Sequence, residues 1–131
     1  MKGVDQFPVL NTDILKRIVQ DGVQRFEGIE KIGLVGSFAR GTHGHTSDVD
    51  LLLKTAQGHS ANEVLEAFGL FVAHVLDYQF NKRLDIVKYE LAQKRATTPP
   101  AKGAWYHQEG YQNMLKEVVW LYERPNYFAE N

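Results

Sequence analysis

Short apolar runs that break off at turn residues, alternating with longer segments of helical period, are what most restrict the folds open to this chain. Lys31-Ile32-Gly33-Leu34-Val35 stops at Gly36-Ser37, Asp48-Val49-Asp50-Leu51-Leu52-Leu53-Lys54 ends before Gln57-Gly58, and Arg83-Leu84-Asp85-Ile86-Val87-Lys88 is a third such run. Runs this short, rich in branched side chains and bounded by turn residues, predict strands. Ile14, Leu15, Ile18, Val19, Val23 and Phe26 recur at helical spacing behind Asn11-Thr12-Asp13, whose short polar side chains accept orphan amides, so a helix is expected over 12–27, weakened at Gly22. Ser60-Ala61-Asn62-Glu63 is a capping box that starts a second helix, with Val64, Leu65, Phe68, Phe71, Val72, Val75 and Leu76 as its core face. A short helix is expected from Tyr89 to Arg95, cut off by Pro99-Pro100, and another from Trp105 to Leu115. Val118 to Tyr122 reads as a continuing helix or a fourth strand, and its β-branched and aromatic content favours the strand. Elements interleaved in this order predict an α/β (α+β) fold, a sheet packed on helices.

With 131 residues, 44% of them hydrophobic and 24% charged, the chain suits a single domain with a real core, expected to span 1–131 with its core over about 12–123 and a tail at 124–131. The absence of Cys excludes a disulfide scaffold, a thiol nucleophile and any thiolate metal site, so metal chemistry must rest on carboxylates or imidazoles. Fifteen basic against 16 acidic residues leave a net charge of −1, too little to draw the protein onto nucleic acid or an anionic membrane. Lys82, Arg83, Lys88, Lys94, Arg95 and Lys102 do outnumber Asp85 and Glu90 locally; a solvated helix and loop is the plainer reading, a polyanion-facing stretch the sharper one. No apolar run approaches the ~20 residues of a membrane span, and Met1 to Asp5 lead into no signal-peptide core. The expectation is a cytoplasmic protein with no membrane partner and no direct nucleic-acid binding.

The chemistry lies in what the strands bring together. Side chains alternate along a strand, so Asp48 and Asp50 project from one face while Val49, Leu51 and Leu53 fill the other; Asp85 likewise opposes Leu84 and Ile86. If the two strands are neighbours, three carboxylates converge, and such a cluster repels itself unless a divalent cation neutralises it. Hard oxygen ligands suit Mg²⁺ or Mn²⁺. The turn at Gly36-Ser37, opening a helical stretch at Phe38-Ala39-Arg40, offers amides, a hydroxyl and a guanidinium to an anion, which points to a phosphate chain.

Gly36-Ser37-Phe38-Ala39-Arg40-Gly41, ten residues between Ser37 and Asp48, and then Ser47-Asp48-Val49-Asp50-Leu51 make the chain resemble the minimal nucleotidyltransferases of the DNA polymerase β superfamily. That family's signature is Gly-Ser, a spacer of ten and Asp-x-Asp, with a later third acid for which Asp85 stands; Asp77 and Glu90 are the substitutes should Asp85 point away. Relatives often carry a Gly before a terminal apolar strand, where this chain has Glu117-Val118. The resemblance implies a nucleotidyltransferase fold, a small mixed β-sheet backed by helices. It implies a reaction in which a hydroxyl attacks the α-phosphorus of ATP and pyrophosphate leaves. Asp48 and Asp50 would bridge two Mg²⁺ ions (Mn²⁺ being possible), and Asp85 would ligate the acceptor-side ion and take the hydroxyl proton. Gly36 would let the backbone approach the phosphates, Ser37 would add its hydroxyl, and Arg40 would either contact the triphosphate or pair with a carboxylate and hold the turn.

The same resemblance implies a HEPN-domain toxin as partner in a hetero-oligomer, with AMP passing to a Tyr hydroxyl so that this chain acts as antitoxin. The alternatives are a small-molecule, antibiotic-type nucleotidyltransferase and a non-catalytic antitoxin that acts by binding alone. His43 and His45 are read as solvated loop residues before any role as ligands, and Lys82 and Arg83 as strand-end solvation before any grip on pyrophosphate. Trp105, Tyr106, Tyr111, Trp120, Tyr122 and Tyr127 are mainly packing, with an exposed subset suited to a protein contact.

Overall fold

The computed structural model describes residues 7–125; Met1 to Asp5, Tyr127 and the rest of 126–131 lie outside the described residues. Helix α1 (Thr12–Arg25) begins where expected because Asn11 Oδ1 accepts the Ile14 amide at 2.9 Å, and it ends two residues short of 27, with Phe26 already extended. Strand β1 (Ile29–Val35) then runs into a one-turn helix α2 (Gly36–Arg40), which Gly41 closes in the left-handed conformation. Strand β2 is Val49–Thr55 and helix α3 is Ala61–Phe80, whose start is capped by Ser60 Oγ on the Glu63 amide at 3.4 Å. Strand β3 (Leu84–Lys88), helices α4 (Tyr89–Thr97) and α5 (Gln108–Glu117), and strand β4 (Val119–Glu123) complete the order.

The last segment is therefore a strand, paired antiparallel to β1. The helix expected from Trp105 starts later. His107 is its N-cap, Nδ1 accepting the Gly110 amide at 3.2 Å, and Trp105 is left in the preceding loop at 87% exposure.

The four strands form one mixed sheet in the order β3-β2-β1-β4, with β2 and β3 parallel and the other two pairings antiparallel. The parallel pair needs the crossover that α3 provides. On one face α1 and α3 lay Leu15, Val19, Phe68, Val72 and Leu76 against Ile32, Leu34, Leu51 and Leu53, all fully buried. The other face is covered too. Leu52, on the same side of β2 as Asp50, is fully buried with Val35 and Ala92, and Tyr111, Met114 and Leu115 of α5 pack onto them. Three successive leucines are explained by burial on both faces of a central strand. Gly33, opposite Leu52, makes room for this cover, since a Cβ there would collide with Val118 and crowd Trp120.

Candidate functional site

Register builds the site. Along the parallel β2–β3 ladder Asp50 is the direct partner of Asp85, and across the antiparallel β1–β2 ladder it is the partner of Val35, the residue before Gly36. One strand position on β2 is thus flanked by the third acid on one side and by the Gly-Ser turn on the other. Asp48 precedes β2, whose first amide, Val49 N, donates to Arg83 O at 2.9 Å and locks the entry of both strands. Gly36 has φ +74°, and any Cβ placed there would run into the Asp50 carboxylate, so glycine is needed both for the turn and for the approach. Ser37 follows in the first turn of α2, half-buried, and its carbonyl accepts the Thr42 amide at 3.0 Å.

Charge at this point is under strain. The Asp50 carboxyl is pushed from 3.8 up to about 6, first by burial and then by the negative charges of Asp85 and Asp48, while the Arg40 guanidinium pulls the other way. A carboxylate that resists ionisation beside two others is what a cation would relieve. Among the described residues no three His, Asp or Glu side chains stand together as a ready metal cage. Mg²⁺ sites commonly use one or two carboxylates plus substrate phosphates and waters. Asp50 and Asp85 are ladder partners, and Asp48 stands close enough to act on Asp50 through its charge.

The remaining sequence candidates divide. Arg40 has a carboxylate partner: its Nη1 donates to Glu117 Oε2 at 3.1 Å, which ties α2 to the end of α5. Glu117 lies 77 residues away along the chain, and no local signal could have paired it with Arg40. His43 is not the solvated residue expected; its ring stacks on Phe38 with centroids 4.0 Å apart, whereas His45 is exposed. Lys82 is not merely strand-end solvation either, because its ammonium donates to the carbonyls of Gly44 at 3.1 Å and His45 at 2.6 Å. The basic stretch from Lys82 to Lys102 is dispersed: Lys88 donates to Asn62, and Arg95 is held by Tyr111 and lies over the rings of Tyr106 and Tyr111. A cavity of about 390 Å³ lined by Leu10, Phe38, His43, Phe80 and Lys82 opens between the α2–β2 loop, the end of α3 and the segment before α1.

Over residues 15–109 the chain matches the family model described as "Nucleotidyltransferase domain". No curated protein sequence matches it. Among solved structures, that of the toxin–antitoxin pair MntA-HpeT superposes with a TM-score of 0.50 at 16% identity, covering 88% of this chain and 75% of that one. An MNT antitoxin in complex with a tri-AMPylated Shewanella oneidensis HEPN toxin gives 0.48 at 12% identity over 86% and 72% of the two chains. A toxin–antitoxin structure with AMP-PNP gives 0.44 at 22% identity over 82% and 84%. Among the described residues no helix is long and apolar enough to cross a membrane.

Proposed function

The chain belongs to the nucleotidyltransferase domain family, and from that premise we propose that it is a Mg²⁺-dependent adenylyltransferase which moves AMP from ATP onto a Tyr hydroxyl of a HEPN-type toxin and so acts as its antitoxin. The observation that carries the reading is the register that sets Asp50 beside Asp85 and beside the Gly36-Ser37 turn. Three mutually repelling carboxylates next to a backbone turn with an adjacent guanidinium fit a metal-bound triphosphate and little else a small domain handles.

Each residue then has a task. Gly36 leaves space for a phosphate against the backbone, Ser37 offers its hydroxyl, and Arg40 places positive charge beside Asp50. Asp48, Asp50 and Asp85 would hold the metal, whose contribution is to neutralise charge developing on the phosphate oxygens. Asp85, exposed at the sheet edge, takes the proton from the attacking hydroxyl. The acceptor oxygen forms its bond to the α-phosphorus, the α–β bridging bond breaks, and pyrophosphate leaves with that electron pair. The partner is carried over from the fold shared with the antitoxin of the MntA-HpeT pair and from the resemblance to minimal nucleotidyltransferases.

The test is intact-mass spectrometry of a co-expressed HEPN protein after incubation with ATP and Mg²⁺. An increment of one or more AMP groups that is lost with Asp50→Asn supports the reading. A HEPN protein neutralised with no added mass would replace it by the binding-only antitoxin, and label entering an aminoglycoside would replace it by the small-molecule enzyme.

A further inference from the structure

Two chain segments deliver the acids from different directions: the loop after α2 delivers Asp48, and the turn after α3 delivers Asp85. We propose that Lys82 is the positioning residue that holds these two segments in one geometry, an inference that rests on the nucleotidyltransferase reading of the site.

Its own place is set by the end of α3. Asn81 takes the left-handed conformation at φ 53°, its amide donates to Asp77 O, and the Lys82 amide donates to Leu76 O, so the backbone at 82 is held by the helix it leaves. Asn is among the few residues that accept that conformation readily. From this fixed point the side chain reaches the other segment. Lys82 Nζ donates to Gly44 O at 3.1 Å and to His45 O at 2.6 Å, and it lies 5.8 Å from the centre of the Phe38 ring in α2. The loop it grips also closes on itself, Gly44 N donating to Ser47 Oγ at 2.9 Å and Ser47 N to Gly44 O at 3.2 Å, and its start is tied to α2 by Thr42 N on Ser37 O and by His43 stacked on Phe38.

Lys82 therefore links three segments: the turn it belongs to, three residues ahead of Asp85, the loop three residues ahead of Asp48 that its ammonium bonds, and α2, whose Phe38 ring it faces. With two of its three N–H donors given to carbonyls, it acts through Asp48 and Asp85, and misplacing such groups by about 1 Å costs up to ~10²-fold.

The experiment compares wild type, Lys82→Met, Lys82→Arg and Lys88→Met by calorimetric titration with Mg²⁺·AMP-PNP, by amide exchange over residues 42–48, and by Tm. Met keeps the apolar stem and loses the donors; Lys88, bonded to Asn62, is a lysine of the same kind away from the acids. Lys82→Met should weaken Mg²⁺·AMP-PNP binding about tenfold or more and speed exchange over 42–48 selectively, with Tm within a few degrees of wild type. Lys82→Arg should restore most of both, and Lys88→Met should change neither. Wild-type binding with an unchanged Lys82→Met overturns the inference and leaves the functional reading standing. So does an affinity loss in Lys82→Met that only follows a collapsed Tm and is not rescued by Lys82→Arg. If wild type itself does not bind Mg²⁺·AMP-PNP, the functional reading fails first.

Discussion

Asp50 and Asp85 are paired position for position across the parallel β2–β3 ladder, and the negative charge of Asp85 bears directly on the Asp50 carboxyl. Two carboxylates held side by side repel each other, so the metal-free site stores repulsion that a cation or a proton relieves. Folding stability, metal binding and pH are thereby coupled at one strand position.

The sign of that coupling is definite. Asp50 holds its proton up to about pH 6 in the folded chain against 3.8 for an ordinary aspartate. The folded state therefore binds more protons between those values, and stability of the metal-free protein falls as pH rises through that window, then levels off. Because the carboxyl is half-exposed and solvent-screened, the effect is about 1 kcal/mol, not the full linkage value. Asp50→Asn should remove the slope and raise the metal-free Tm at pH 7.5 by about 3–5 °C. It should also abolish the Tm gain produced by Mg²⁺. Thermal melts between pH 4 and 8, with and without Mg²⁺, check both; a mutant of lower metal-free stability that still responds to Mg²⁺ would contradict the shared site.

Gly36→Ala should be damaging out of proportion to one methyl group. At φ +74° with Asp50 against the missing Cβ, the substitution meets both backbone strain and a side-chain clash, costing about 1–3 kcal/mol. Denaturant titration should show that loss, and AMP transfer should vanish even where the protein remains folded.

Arg40 and Glu117 separate charge placement from stability. Their side chains are 47% and 37% exposed, so the ion pair contributes about 0–1 kcal/mol. Glu117→Gln should leave the Tm nearly unchanged, whereas Arg40→Ala should weaken Mg²⁺·AMP-PNP binding several-fold by removing the cation beside Asp50. Calorimetry on both variants decides whether Arg40 serves the nucleotide or only the turn.

Leu52→Ala tests the covered second face. A fully buried leucine between β1, β3 and α4 should cost about 2–5 kcal/mol on truncation. Leu115→Ala, at a half-buried α5 position on the same cluster, should cost about 1 kcal/mol. A small effect at Leu52 would mean that the α4–α5 cover is not packed as described.

What the sequence determined by itself is what depends on near neighbours. The caps at Asn11 and Ser60, the strand that ends at Gly36, the helix face of Val64, Phe68, Val72 and Leu76, and the spacing from Ser37 to Asp48 are all set within a few residues. Helical period and strand alternation make such features readable without coordinates. Even local reading slipped where a side chain competed for an amide, as His107 did at the start of α5.

What only the tertiary structure decided is which distant groups share a place. The partnership of Asp50 with Asp85 required β3 to pair with β2, a matter of the α3 crossover; the alternation pattern shows which face each acid occupies but not which strand lies beside it. The ends of Leu51-Leu52-Leu53 gave no sign that α4 and α5 would bury the middle leucine. Likewise Arg40 with Glu117, and Lys82 with the carbonyls of Gly44 and His45, are contacts between segments far apart in the chain. Such contacts are selected by the packing of the whole sheet, because their free energies are too small to be imposed by either residue alone.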